Sequence, residues 1–250
     1  MHAKFLFGFF IACSLCLIYV NAQKVPITVY YESLCPDSRR FFTTQLYPTL
    51  QTNLSKWVNL TLVPYGKSNQ TQLAGDQWQF SCHHGPYECQ GNKIQACALH
   101  EIETTSPKQA EQGFNPTTLR FINCLMDKTE KKTDPTGADQ YTFPIKNCSE
   151  INHIQNYAGI ENCAQHTTGS KYLLDLGIKT KKFQENLVSV PTIVFNDKYQ
   201  AEESKAAEVN LIKVLCKYIT KDKPEECKNC GVTFTSSLLV FALIVVKSLF

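Results

Sequence analysis

Tyr30-Tyr31-Glu32-Ser33-Leu34-Cys35-Pro36-Asp37-Ser38-Arg39-Arg40-Phe41-Phe42 is where one kind of structure hands over to another. The apolar, β-branched run Val25 to Tyr31 leads into it and reads as a strand. After Cys35-Pro36-Asp37-Ser38 the apolar residues Phe41, Phe42 and Leu46 recur at helical spacing. Cys35 therefore falls at the N-terminus of a helix, beside unpaired backbone N–H groups and the positive end of the helix dipole. Both favour negative charge on sulfur, and the thiolate is the nucleophile of cysteine chemistry. Arg39 and Arg40 are expected to act in the same sense. The competing reading makes Cys35 half of a structural disulfide.

Outward from this stretch the pattern continues. Val58 to Val63 reads as a second strand, closed by Pro64-Tyr65-Gly66. The helix between the two strands is expected to break at Pro48. Strand, helix, strand is a βαβ unit with Cys35 at its first turn, and its strands are expected to be parallel. Gln70 to Phe80 is polar and irregular. A helix carrying Ile94, Ala98 and Ile102 is expected to start at a capping Asn92. A second is expected from Pro116 to about Met126, with the proline in its first turn. Pro135 to Pro144 reads as a loop, and Ser149 to Tyr157 and Glu161 to Leu176 as short helices. Strand character returns at Val188 to Phe195. Pro191 interrupts that run, and a cis Val190–Pro191 bond at the strand start would fit it. Tyr199-Gln200 reads as a short antiparallel strand, and Ser204 to Tyr218 as the closing helix.

The chain has 250 residues and 12 cysteines. Residues 1–22 have the form of a secretory signal peptide: Lys4, the apolar Phe5 to Val20, then small residues before Gln23. Cys13 and Cys16 leave with it, and the other cysteines enter an oxidising lumen where disulfides are the default. Asn53, Asn59, Asn69 and Asn147 each open an Asn-X-Ser/Thr glycosylation sequon. All 22 acidic residues and all but two of the 25 basic ones lie between Gln23 and Asn229, so the body is nearly neutral. No basic stripe with stacking aromatics is present, and nucleic-acid binding is not expected. At the other end, residues 230–250 form an apolar tail. It fits a GPI-attachment signal, a short membrane anchor or the tail of a soluble protein, and any membrane contact is expected there alone.

Cys82-His83-His84-Gly85, then Glu88-Cys89, Asn92 and Cys97, is the densest cluster in the chain. With the βαβ frame, Cys35 at a helix start and Val190-Pro191-Thr192, it resembles the signature of the gamma-interferon-inducible lysosomal thiol reductase (GILT) family, C-Q-H-G-x2-E-C-x2-N-x4-C. His83 stands where the signature has glutamine. Asn59 to Gly66 and Leu215 to Cys227 are also similar to that family, so the resemblance covers about Val25 to Cys227. It implies an α/β, thioredoxin-like fold (βαβ–ββα) over residues 23–229, with a disulfide-stapled helical insertion at about 70–185. It further implies reduction or reshuffling of disulfides in protein substrates, in lysosomes or outside the cell, with a role in lysosomal degradation or host defence.

Residue by residue, the resemblance makes Cys35 the nucleophile and Pro191 the cis-proline facing it. It makes Cys82, Cys89, Cys97, Cys124, Cys148, Cys163, Cys216 and Cys227 a structural set of four bridges, whose pairing the sequence leaves open. The family's active site is C-x-x-C, and here Ser38 replaces the second, resolving cysteine. Ser38 cannot release a mixed disulfide. An external thiol such as glutathione or free cysteine is then expected as reductant, unless Cys230 or another cysteine of the chain resolves it. Ser38 can alternatively donate a hydrogen bond to the Cys35 thiolate. Cys82, Cys89, His83 and His84 have the ligand types of a zinc site, but disulfides are the expectation for these cysteines, and no metal or cofactor is expected. The rival to an enzyme is a catalytically degenerate, glycosylated secreted or cell-surface protein that keeps the fold and binds.

Overall fold

Strand β1, Val25–Tyr31, is the centre of the molecule in the computed structural model, which describes residues 24–75 and 77–228. Residues 1–22, expected to be a signal peptide, and the 230–250 tail lie outside the described residues. After β1 the chain enters one continuous helical run: α1, Pro36–Phe41, a π-helical turn, Phe42–Leu46, and α2, Tyr47–Leu50. The helix does not break at Pro48. The wider turn just before it accommodates a residue with no N–H to give, as π-turns do when the i→i−4 ladder is interrupted. Thr43 and Thr44 donate their hydroxyls back to Arg39 and Arg40 carbonyls in the same turn.

A 3-10 turn, Asn53–Trp57, leads to β2, Val58–Pro64. Next come a hairpin of β3, Asn69–Gln72, and β4, Trp78–Ser81, and then the long helix α3, Pro86–Thr105. Helix α4, Pro116–Lys128, starts at Asn115, whose side chain accepts from the N–H groups of Thr117 and Thr118. A second hairpin follows, β5, Glu130–Thr133, and β6, Asp139–Thr142. Three helices close the insertion: α5, Ile145–Ile151, α6, Tyr157–Gln165, and α7, Thr167–Phe183. Strand β7, Thr192–Phe195, returns to the sheet, followed by α8, Ala201–Val209, α9, Leu211–Tyr218, and the short α10, Glu225–Lys228.

The main sheet has the order β2-β1-β7. β1 pairs parallel with β2 in the register Val25 opposite Val58, and antiparallel with β7, Tyr30 opposite Thr192. This is the strand, helix, parallel strand unit read from the sequence. The fold is α/β and thioredoxin-like, with helices of the insertion stapled by disulfides. Several expectations fail locally. Tyr199-Gln200 forms no strand; only a Phe195–Lys198 bridge remains, across a turn held by positive φ at Asn196 and Asp197. The 70–80 and 135–144 stretches belong to hairpins, β3–β4 and β5–β6, whose strands are mostly exposed. Asn92 does not cap α3; Gly85 does, with Pro86 behind it, and Asn92 is buried inside the helix. Ser204 to Tyr218 is two helices, since Asn210 ends α8 and its side chain caps α9.

Tyr31, Phe41, Phe42, Leu46, Leu54, Ile94, Ile102, Leu119 and Phe121 are all fully buried in one core between the sheet, the α1–α2 run and helices α3 and α4. Each such side chain stabilises the fold by about 1.5–3 kcal/mol relative to exposure. A smaller apolar cluster, Tyr30, Val63, Leu187, Val190 and Val194, surrounds Cys35, with Phe183 stacked on Tyr30 at 4.4 Å.

Candidate active site

Cys35 is the N-cap residue of α1, with extended backbone at φ −61° and ψ 121°. Its carbonyl accepts the first helical bond, from Arg39 N–H at 2.9 Å. Its side chain caps nothing, so the thiol is left for other contacts. Sγ lies 3.7 Å from the Val190 carbonyl oxygen. The Val190–Pro191 peptide is cis. Strand pairing of β1 with β7 brings this loop over the first turn of α1, so residues 155 positions apart meet. Cys35 is 6 % exposed, whereas Val188, just upstream of the proline, is 78 % exposed.

Ser38 is fully buried, one turn into the helix. Its hydroxyl accepts from Glu32 N–H at 3.5 Å rather than reaching Cys35. The arginines are engaged elsewhere. Arg39 Nε donates to Met126 O at 2.6 Å, and Nη2 to Asp127 O and Thr129 O at 3.2 and 3.0 Å. It thus satisfies the carbonyls at the C-terminus of α4, where a cation is electrostatically favoured. Burial pulls its guanidinium below its ordinary value. Arg40 pairs with Asp37 at 2.9 Å in solvent.

The Cys82–Asn92 cluster docks onto the loop between β1 and Cys35. Asn92 Oδ1 accepts from Ser33 N–H at 2.9 Å, and Ser33 Oγ donates to the Glu88 carbonyl at 3.1 Å. A Cβ on Gly91 would fall 2.4 Å from Ser33 Oγ, so only glycine allows this approach. Two carboxylates are fully buried here, Glu32 and Glu88. Glu32 Oε1 accepts from Lys67 N–H at 2.7 Å, delivered by the turn after β2. Gly66 in that turn has φ +59°, and a Cβ would meet Glu32 Cγ at 2.2 Å. Glu88 Oε1 accepts from His84 N–H at 3.0 Å, and Oε2 faces His84 Nδ1 at 2.5 Å. Burial pushes the Glu32 carboxyl up first, and the neighbouring Glu88 charge adds to that; the Lys67 N–H opposes.

All eight cysteines outside the active-site stretch pair in the described residues: Cys82–Cys89, Cys97–Cys163, Cys124–Cys148 and Cys216–Cys227. Cys35 is the free cysteine among them. The pairing takes Cys82 and Cys89 out of the zinc set that the sequence permits. Asn53, Asn59, Asn69 and Asn147 are all exposed. Among the described residues no helix is long and apolar enough to cross a membrane.

The sequence reading placed Cys35, Ser38 and Pro191 but gave no role to Glu32, Ser33 or Glu88, and it misplaced Asn92. The signal was present. Glu88 and Asn92 are four apart on one helix and so share a face.

Residues 26–151 match the family model described as Gamma interferon inducible lysosomal thiol reductase (GILT). The chain is 41 % identical over 227 residues to GILT-like protein 1 of Drosophila melanogaster, covering 91 % of this chain and 87 % of that one. It is 42 % identical over 205 residues to the gamma-interferon-inducible lysosomal thiol reductase-like protein of Anopheles gambiae, covering 82 % and 80 %. Among solved structures, Chlamydia trachomatis DsbA is similar at a TM-score of 0.46 and 14 % identity, over 76 % of this chain and 87 % of that one, too slight a likeness to add to the topology above.

Proposed function

The chain belongs to the gamma-interferon-inducible lysosomal thiol reductase family, whose chemistry is thiol–disulfide exchange, and from that premise we propose that it reduces or reshuffles disulfides of protein substrates through Cys35. The observation that carries the reading is the position of Cys35. It is the cysteine left outside the four bridges, at a helix N-terminus, facing a cis-proline loop. The helix end favours a negatively charged sulfur. An extended substrate strand lies along Ser189 and Val190, pairing with their backbone groups, with its disulfide over Sγ.

The Cys35 thiolate attacks one sulfur of the substrate disulfide. A Cys35–substrate mixed disulfide forms and the other substrate sulfur leaves as thiolate. Ser38 cannot displace the bound substrate, because a hydroxyl is no match for a thiolate toward sulfur and forms no disulfide. An external low-molecular-weight thiol, glutathione or cysteine, attacks instead and releases the substrate thiolate. A second equivalent regenerates Cys35. In sum, one substrate disulfide is reduced to two thiols while two external thiols become one disulfide.

The compartment belongs to the same proposal. Residues 1–22 direct the chain to the secretory pathway, and exposure of Asn53, Asn59, Asn69 and Asn147 supports glycosylation there. The protein then acts in lysosomes, at the cell surface through a GPI attachment in residues 230–250, or as a secreted protein; the intact mass of the mature chain distinguishes a cleaved tail from a retained one. One observation favours a second reading, a binding protein without turnover: Cys35 is 6 % exposed. Thiol labelling of the native protein at pH 5 separates the two. Labelling at Cys35 supports the enzyme, and a Cys35 that stays unmodified until the protein is denatured overturns it.

A further inference from the structure

Glu32 carries a contradiction. Its carboxylate is fully buried, Oε1 is satisfied by Lys67 N–H, and Oε2 accepts no hydrogen bond among the described residues. The groups that face Oε2 are two imidazole nitrogens, His84 Nδ1 at 3.3 Å and His83 Nδ1 at 3.5 Å. A second buried carboxylate, Glu88, has its Oε2 2.5 Å from the same His84 Nδ1. Two desolvated carboxylates packed this closely are costly, and a dication beside them offsets that cost.

The geometry points to a binding site for one divalent cation of the Zn2+ class, ligated by Glu32 Oε2, His83 Nδ1 and His84 Nδ1. The spacing fits. Tetrahedral coordination with bonds of about 2.0–2.1 Å sets neighbouring ligand atoms about 3.3–3.5 Å apart, and the two spacings from Glu32 Oε2 are 3.3 and 3.5 Å. One ligand atom from each of Glu32, His83 and His84 lies within 4.8 Å of the other two. Two imidazoles and one carboxylate suit Zn2+ and its d-block neighbours better than Ca2+ or Mg2+, which take mainly oxygen. A cation binds His84 Nδ1 only through its free lone pair, so any proton there is released to solvent, and Glu88 Oε2, 2.5 Å from that nitrogen, remains as a balancing negative charge beside the ion.

The ligands are held before any ion arrives. The Cys82–Cys89 bridge closes the loop bearing both histidines, and Glu88 also fixes the His84 backbone. Lys67 N–H orients the carboxylate. His83 has 49 % and His84 29 % of its side chain exposed, which leaves an entry path and a fourth position for water. This site is separate from the thiol chemistry and stands whether or not Cys35 turns over.

The test uses the mature protein carrying Cys35→Ser, with Cys230→Ser added where the tail is retained, so that neither cysteine outside the four bridges competes, titrated with Co2+ by visible absorption and with Zn2+ by calorimetry. One equivalent of each is expected, the cobalt form showing d–d bands without sulfur-to-metal charge transfer. His83→Ala is half-exposed and compatible with folding, and His84→Ala is the second variant; each should weaken binding about tenfold or more. No binding at millimolar metal, or binding unchanged in His83→Ala, would overturn the site. A cobalt spectrum with sulfur charge transfer would also overturn it.

Discussion

Ser38 has the backbone position of a resolving residue and the side chain of a helix-packing one. Its hydroxyl faces Glu32 N–H, and it is fully buried. Ser38→Cys puts a second thiol one helical turn from Cys35, and turnover of a protein disulfide without glutathione should then rise by about an order of magnitude or more; equal rates would mean that resolution does not limit the protein. Gly66 tests the support of the site. With φ +59° and Glu32 Cγ where a Cβ would go, Gly66→Ala should destabilise the fold by more than about 1 kcal/mol in denaturant titration. A neutral result would show that the turn yields and that Glu32 is not held by it. At this scale the sequence was legible where chemistry announces itself, in Cys35 and Pro191. It was silent on Glu32, because a lone acid after a strand looks like any solvated one until the turn at Lys67 and the histidine loop close over it.

The elements divide along the same line. The β1–helix–β2 unit could be read because its apolar residues follow the strand and helix periods closely. The β3–β4 and β5–β6 hairpins could not, since their strands are only four residues long and mostly exposed, and β4 alone alternates, Trp78 and Phe80 against Gln79 and Ser81. Asn92 reads as a cap because asparagine favours helix starts, but Gly85 and Pro86 begin α3 two turns earlier, and burial turns Asn92 toward Ser33. Asn115 is a cap in fact, and Asn115→Ala should cost about 1 kcal/mol, read as a lower denaturation midpoint with unchanged slope. The Cys97–Cys163 bridge joins α3 to α6 across 66 residues. Replacing both by alanine should remove about 4 kcal/mol by loosening the unfolded chain's constraint. Cys35 labelling in the folded double variant should persist, because the bridge ties the insertion and not the active-site loop; its loss would tie the insertion to the thiol.

For the whole molecule, acid resistance matters if the protein works in lysosomes. Glu203 is held below the ordinary carboxylate range, first by the Tyr218 hydroxyl and then by Lys217 at 3.0 Å. A depressed folded value means that its stabilisation is complete above the unfolded value near 4.5 and is lost as pH falls through the lower folded one. Glu203→Gln should therefore lower the melting temperature at neutral pH, and the gap to the parent should close in strong acid; a gap independent of pH would contradict this. The larger design is a cysteine set apart from four bridges among the described residues, with a serine three positions after it. Its most direct test is intact mass analysis after incubation with a disulfide-bonded peptide in the absence of small thiols. One peptide joined to Cys35 is expected, persisting until reduced glutathione is added and then released. No adduct, or one that resolves without an added thiol, would contradict it.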